Sequence, residues 1–305
     1  MSTATKVAVF VAGLAAVFAA ALGVGAAVGP VADEPVAHDD EHGGGEAGGH
    51  ESGHGSDTGT ATEVPGGLMV SQAGYTFRLQ QGMADPGRGV PVAFTIEGPD
   101  GHPVTEYDVE HEELLHLIAV RRDLSGFQHV HPRLDDTGVW TTDLDLTPGA
   151  WRLYADFTAT GAEGLTLGTD LAVAGDHRPV PPPEEEVRTA TVDDYTVTVR
   201  GDLTAGADAE LTLSVSKDGR PVTDLEPYLG AYGHLVALRE GDLAYLHVHP
   251  DGEPGDGATA PGPDVVFYAA VPSDGRYRLF LDFQHDGVVR TAAFALTTQE
   301  APHDH

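Results

Sequence analysis

The stretches HLIAVRRDLSGFQHVHP, at residues 116–132, and HLVALREGDLAYLHVHP, at residues 234–250, are near copies of each other. Each contains one His near its start and a His-x-His-Pro at its end. Aligned without gaps at an offset of 118, residues 100–132 and 218–250 share 13 of 33 positions, including all three His. A duplicated unit must keep its hydrophobic pattern in order to fold, but it needs three copied imidazoles only if they have a role. The copies therefore indicate both an internal repeat and a His-based site.

Short runs of alternating apolar residues around these motifs indicate β-strands. Examples lie at residues 75–79, 151–157 and 277–283, and turn sequences such as Pro99-Asp100-Gly101 and Ser273-Asp274-Gly275 separate the runs. Helical periodicity is not evident anywhere, and Gly and Pro are frequent. Units of about 110 residues with this spacing are typical of sandwiches with roughly seven strands. The sequence therefore predicts an all-β protein of two tandem immunoglobulin-like β-sandwich domains, following an N-terminal membrane segment and a disordered His-rich linker.

The apolar run at residues 7–28 has no charged residue and follows Lys6. A run of about 20 apolar residues can span a bilayer, although small residues near its end also allow cleavage as a secretory signal. We therefore expect a single-pass cell-membrane protein whose bulk is extracytoplasmic, or alternatively a protein secreted after signal cleavage. The predicted segments are a membrane anchor or signal at 1–32, an acidic His/Gly-rich linker at 33–66, sandwich repeat 1 at 67–175, a Pro-rich spacer at 176–186, sandwich repeat 2 at 187–299, and a His-containing tail at 300–305.

The composition limits the classes of partner. Acidic residues outnumber basic ones by 48 to 16, which gives a formal net charge of −32. Such a charge repels nucleic acid and attracts cations. The chain has no Cys and only three Met, so thiolate and disulfide chemistry are excluded and Met-rich Cu(I) binding is disfavoured.

The second His motif can be placed on a hairpin. With Glu240-Gly241 as a two-residue turn, His234 lies directly opposite His247, and His249 shares their face because side chains two apart point the same way. Directly opposed residues have β-carbons about 5 Å apart, so the three imidazoles could converge on one ion. The first motif repeats this pattern with His116, His129 and His131, although a longer turn through Gly126 would shift its register.

A carboxylate follows each motif at a matching place. The stretches AWRLYADF and RYRLFLDF end in Asp156-Phe157 and Asp282-Phe283. An Asp in an apolar strand needs a partner, which is a metal, a His N–H, or the Arg152 or Arg278 on the same strand. The candidate metal-site residues are therefore His116, His129, His131, Asp156, His234, His247, His249 and Asp282.

The remaining His lack a copy in the other repeat. We expect His102, His111 and His177 at the surface. His285 follows the strand of Asp282 and could approach the second site.

The two His motifs resemble those of bacterial extracytoplasmic β-sandwich proteins of the YtkA-like and FixH-like group, which are described as heavy-metal or copper-binding. The resemblance is clearest over residues 100–132 and 218–250. It implies an immunoglobulin-like fold and a role in metal handling outside the cytoplasm.

Together these features favour a non-enzymatic metal-binding protein for metal handling or resistance, with one site per sandwich. Imidazole and oxygen ligands suit Cu(II) or Zn(II) as the divalent metal, and the expected partners are metal ions and a membrane metal transporter. Two alternatives remain: a metal-dependent enzyme with an open three-His site, and a metal-free structural or adhesive surface module. No phosphate loop or Ser/His/Asp nucleophile set is apparent in the sequence.

Overall fold

All of the described regular structure is β-strand. The computed structural model describes residues 64–246 and 248–299, and over these residues it has 21 strands and no helix. The strands of repeat 1 are β1 (Ser71–Gln72), β2 (Tyr75–Leu79), β3 (Met83–Ala84), β4 (Gly87–Glu97), β5 (His116–Arg121), β6 (Gln128–Val130), β7 (Arg133–Leu134), β8 (Val139–Leu146), β9 (Gly149–Phe157) and β10 (Leu165–Val173). The strands of repeat 2 are β11 (Thr189–Val192), β12 (Tyr195–Arg200), β13 (Leu203–Thr204), β14 (Ala207–Lys217), β15 (Arg220–Pro221), β16 (His234–Arg239), β17 (Tyr245–Leu246), β18 (Val248–Pro250), β19 (Asp264–Val271), β20 (Arg276–His285) and β21 (Val288–Gln299).

Each repeat is a sandwich of two sheets with the same strand order. In repeat 1 the sheets are β1-β2-β4-β8-β7 and β3-β10-β9-β5-β6, and in repeat 2 they are β11-β12-β14-β19-β18 and β13-β21-β20-β16-β17. In repeat 1, β2, β4, β8 and β7 lie in one sheet, and β5, β9 and β10 lie in the other. If these seven strands are lettered A to G in chain order, the two sheets are ABED and CFG, which is the immunoglobulin arrangement. The predicted all-β fold of two immunoglobulin-like sandwiches is confirmed.

Alternating strands supply a separate core to each sandwich. In β4 every second residue is buried from Val92 onward, and Phe94 and Ile96 are fully buried in the core of repeat 1. In repeat 2, Leu211 and Leu213 of β14 are equally buried. This period of two is the pattern expected for a strand with one face on the core.

A third apolar cluster joins the two repeats, and it was not expected from the sequence. β5 is buried along its entire length, because Leu117 faces its own core while Ile118 faces repeat 2. Val236 and Leu238 of β16 face repeat 1 in the same way. The cluster consists of Ile118, Val120, Leu124, Tyr154, Val236, Leu238, Leu243 and Phe280; we call it the inter-repeat cluster.

Polar and aromatic contacts strengthen this junction. The Phe127 and Phe280 rings stack 4.1 Å apart at an interplanar angle of 5°. The Tyr154 hydroxyl donates a 2.7 Å hydrogen bond to the carbonyl oxygen of Leu243. Both repeats therefore belong to one compact unit.

The predicted two-residue turn in the second motif is wrong. β16 pairs with β17 through Leu238 opposite Tyr245, and the turn includes four residues because the Arg239 N–H bonds to the Ala244 carbonyl. Asp242 stabilises this wider loop by accepting from the Ala244 N–H at 3.1 Å, as turn Asp residues commonly do. Pairing therefore shifts by two residues, which leaves the paired residues of β16 and β17 on their predicted faces.

After the hairpin, the chain changes sheets in both repeats. In repeat 1, β6 stays with β5, and only β7 joins β8. In repeat 2 the change comes earlier, because β18 already pairs with β19 and His249 lies opposite Tyr268. The copied His residues are therefore held differently in the two repeats.

Several predictions from the sequence concern residues outside the described part of the chain. These are the membrane segment at 7–28, most of the linker at 33–66, the tail at 300–305, and His247. Within residues 64–246 and 248–299, no helix is long and apolar enough to cross a membrane.

Leu238→Ala should reveal the inter-repeat cluster. Leu238 points away from the core of its own sandwich but is fully buried, so its truncation should lower the free energy of unfolding by about 2–5 kcal/mol. Val266→Ala, at a partly exposed position on β19, is the control and should have a much smaller effect. Urea denaturation measures both, and equal losses would contradict the interface.

Candidate metal centre

Three His of repeat 1 converge on one face of the β5–β6 hairpin. His116 begins β5, His129 lies in β6 opposite Ile118, and His131 follows two residues later. The ring centroids are separated by 5.2 Å for His116 and His129, 5.1 Å for His116 and His131, and 5.0 Å for His129 and His131. One ligand atom from each ring lies within 4.8 Å of the others. We call these three residues the His triad.

The proton position on His116 is determined by a backbone carbonyl. The Nε2 atom lies 3.1 Å from the Glu110 carbonyl oxygen, which can only accept, so Nε2 carries the proton. The Nδ1 atom of the neutral ring is then an acceptor. It faces Nε2 of His129 at 3.0 Å.

The proton position on His129 is determined by repeat 2. The His129 Nδ1–H donates to the Asp282 carboxylate at 2.9 Å, and both side chains are only 4% exposed. Asp282 also accepts from the Thr291 hydroxyl at 2.5 Å. When both rings are neutral, an unprotonated Nε2 of His129 therefore faces the unprotonated Nδ1 of His116. Two facing acceptors at this distance need a cation between them, either a proton or a metal ion.

His131 supplies a further unsatisfied nitrogen. Its Nε2 atom is buried and has no hydrogen-bond partner within the described part of the chain, while its Nδ1 lies 3.8 Å from the Glu113 carboxylate. A buried polar atom without a partner requires an explanation. Imidazole nitrogens that share a tetrahedral ion at about 2.0–2.1 Å lie about 3.3 Å apart. A slight opening of the 3.0 Å gap between His116 Nδ1 and His129 Nε2 would therefore admit one ion.

Burial keeps these rings in their neutral form. Burial and, to a smaller extent, electrostatic repulsion from the nearby His129 together lower the pKa of His116 to about 3. Burial likewise lowers the pKa of His131 to about 4 and the pKa of His234 to about 4. A ligating imidazole must be neutral, so these residues are ready to bind a metal at neutral pH.

The structure brings two of the predicted repeat 2 residues to the His triad. Asp282 contacts His129, and the His234 ring lies 6.2 Å from that of His116 and 6.1 Å from that of His129. His249 is exposed on β18, and His247 lies outside the described residues. A separate second site therefore stays a prediction.

Asp156 lies directly opposite His116 in the β5–β9 pairing. Its carboxylate accepts a 2.9 Å hydrogen bond from the Thr166 hydroxyl and adjoins Tyr245, whose pKa is raised well above its usual value by burial and by the Asp156 charge. Arg152 instead pairs with Asp170 at 3.1 Å.

Two residues near the His triad were missed by the sequence reasoning. His111 is exposed, as expected, but its ring lies 5.1 Å from that of His234. It occupies the turn from Glu110 to Glu113 with φ of 48°, a conformation that few non-glycine residues adopt. Tyr228 lies 6.0 Å from His234 in the matching turn of repeat 2. The two turns are separated by the same offset of 118 residues as the His motifs, and this offset could have indicated from the sequence that both turns lie near the site.

A cavity of about 350 Å³ adjoins these groups. Both repeats line it, with His111, His116 and His129 on one side and His234 and His249 on the other. His285, by contrast, hydrogen-bonds to Tyr195 at 2.7 Å and does not line this cavity.

The chain belongs to the family described as a domain of unknown function, DUF8832, whose family model matches residues 70–173 and again residues 190–300. The double match confirms the internal repeat. No curated protein matches the chain. The resemblance to YtkA-like and FixH-like proteins stays a prediction.

Solved structures show only distant similarity. A Salmonella alpha-2-macroglobulin mutant is 15% identical with a TM-score of 0.26, over 77% of this chain and 15% of that one. The Escherichia coli adhesin FdeC is 18% identical with a TM-score of 0.23, over 78% and 66% of the two chains. The chicken CNTN1 FN1–FN3 domains are 9% identical with a TM-score of 0.22, over 77% and 66%. The chain thus spans only part of each, and the fold rests on its own strand order.

The stability of the metal-free protein should fall as the pH decreases from 6.5 towards 5. His116, His131 and His234 have lowered pKa values in the folded state, so unfolding takes up protons below their usual pKa of about 6.5. Each should contribute a slope of about 1 kcal/mol per pH unit near pH 5.5, with full stability above pH 6.5. Urea denaturation in a chelator measures this slope, and His131→Gln should reduce it. A slope unchanged by this substitution would contradict the lowered pKa of His131.

Proposed function

We propose that the protein binds a divalent transition-metal ion, Cu(II) or Zn(II), through Nδ1 of His116, Nε2 of His129 and Nε2 of His131. One observation carries the proposal: two buried ring nitrogens, which are both acceptors when the rings are neutral because the other nitrogen of each ring donates a hydrogen bond, face each other at 3.0 Å. An ion between them would satisfy both. His131 Nε2, buried and without a partner in the described residues, offers the third ligand.

The ligand chemistry supports this choice of metal. Imidazole suits Cu(II) and Zn(II), and the usual affinity order favours copper where both are free. Asp282 would not touch the metal, but its hydrogen bond would hold His129 in the tautomer that binds it. The metal is then cargo, and no catalytic step is assigned to the chain.

We further propose that this binding takes place outside the cytoplasm. The apolar run at residues 7–28 would anchor the chain, and the His-rich linker at 33–66 would collect ions weakly and pass them to the His triad. A membrane metal transporter is the partner that this arrangement suits.

Replacing any member of the His triad with Gln should remove tight binding. The loss should exceed the roughly 10- to 100-fold that removal of an outer-shell partner produces, because a direct ligand is lost. Competition with a chelating indicator measures the affinity for Cu(II) and Zn(II) and excludes weak sites in the linker. His102→Gln, at an exposed His elsewhere in repeat 1, is the matched control. A wild-type protein that takes up no ion in this assay would favour the metal-free surface module.

Asp282→Asn should weaken binding without abolishing it. The substitution removes the negative charge that holds the proton on His129 Nδ1, and such outer-shell changes typically cost about 10- to 100-fold in metal affinity. The same titration tests it, with Asp264→Asn as a control because Asp264 pairs with Arg200 at the surface. Unchanged affinity would argue that the buried contact between His129 and Asp282 is purely structural.

A further inference from the structure

His234 belongs to repeat 2 but faces the His triad of repeat 1. Its Nε2–H donates to the Leu229 carbonyl oxygen at 3.0 Å, as His116 does to Glu110. The two carbonyls lie in matching turns, Glu110 to Glu113 and Tyr228 to Ala231, each closed by backbone hydrogen bonds. Since the carbonyl can only accept, the Nδ1 atom of neutral His234 is the one left to ligate a metal.

We propose that the ion is shared between the two sandwiches: His234 is its fourth imidazole ligand, and ion binding locks the docking of repeat 2 onto repeat 1. This inference rests on the proposed function, because it concerns the same ion. It goes further in making the site incomplete without repeat 2.

The geometry supports a small closing movement. Rings within the His triad are 5.0 to 5.2 Å apart, whereas His234 lies 6.1 to 6.2 Å from His116 and His129. Four imidazoles around one tetrahedral ion have ring centroids about 5 Å apart. An approach of His234 by about 1 Å towards His116 and His129 would therefore bring it to the spacing of a fourth ligand.

The docking contacts begin next to the ligands. On β5, Ile118 of the inter-repeat cluster lies two residues from His116, and on β16, Val236 lies two residues from His234. A ligand that binds only the docked form must stabilise docking, and improved docking must raise its affinity by the same factor. Substitutions in the inter-repeat cluster should therefore weaken metal binding even though they touch no ligand.

The first experiment counts the ligands in the full-length protein. Cu(II) electron paramagnetic resonance of the wild-type protein should report four imidazole nitrogens and that of His234→Gln three, with the stoichiometry of the tight site unchanged. The affinity of this variant for Cu(II), measured against a chelator, should fall, whereas the control His102→Gln should retain both properties. An identical spectrum and affinity for His234→Gln would overturn the fourth ligand, leaving the His triad intact.

The second experiment tests the link to docking. Leu238→Ala truncates the inter-repeat cluster, and Leu279→Ala truncates the core of repeat 2 on the adjacent strand of the same sheet. Leu238→Ala should lower Cu(II) affinity by roughly 5- to 150-fold, the usual range of coupling between sites, and Leu279→Ala should leave it nearly unchanged. If either Ala variant fails to fold, the Leu→Val pair replaces it. If Leu238→Ala and Leu279→Ala bind Cu(II) with equal affinity, the proposal that ion binding locks the docking of the repeats is overturned.

The outcomes separate this inference from the function on which it rests. Absence of tight Cu(II) binding by the wild-type protein would refute the metal site itself. Tight binding that survives both His234→Gln and Leu238→Ala would preserve the metal site and refute its sharing between the sandwiches.

Discussion

The hydrogen bond between His129 and the Asp282 carboxylate links the fold to the chemistry of this protein. Both side chains are almost fully buried, and removing one partner would leave a buried polar group unsatisfied. The bond determines which nitrogen of His129 carries the proton, so it determines which nitrogen faces His116. It also crosses from one repeat to the other. The positions of the protons in the His triad of repeat 1 therefore depend on the position of repeat 2.

The duplication has produced two repeats with unlike roles at the centre. Repeat 1 contributes three convergent His, while repeat 2 contributes Asp282 and His234. The difference arises from where the chain changes sheets, because β18 pairs with β19 before His249 can join the face of His234. In repeat 1 the corresponding change occurs only after His131, at β7. Two sequences that match closely thus place the same residue types in different surroundings.

Much of the fold could be predicted from alternation and turn residues, since each sandwich core follows the period of two. The face shared by His116, His129 and His131 was also predictable, because a register shift of two residues preserves it. The junction between repeats was not, although the unbroken apolar runs Leu117–Val120 and Leu235–Leu238 suggest strands buried on both faces. The partner of His129 could not be inferred, because Asp282 is 153 residues away in sequence and only the docking of the sandwiches brings them together.

The arrangement of protons separates a binding site from ordinary packing of His residues. Packed His rings normally satisfy one another by alternating donors and acceptors. Here the Glu110 carbonyl accepts a hydrogen bond from the outer nitrogen of His116, and the Asp282 carboxylate accepts one from the outer nitrogen of His129. In the neutral rings this leaves the two inner nitrogens as acceptors that face each other. A proton held by His129, with the Asp282 carboxylate as its counter-ion, would fill this gap, but it would leave the buried Nε2 of His131 without a partner among the described residues. A metal ion bound by several neutral imidazoles meets the same electrostatic demand with more ligands, and this favours the metal over the proton as the cation for which the centre is arranged.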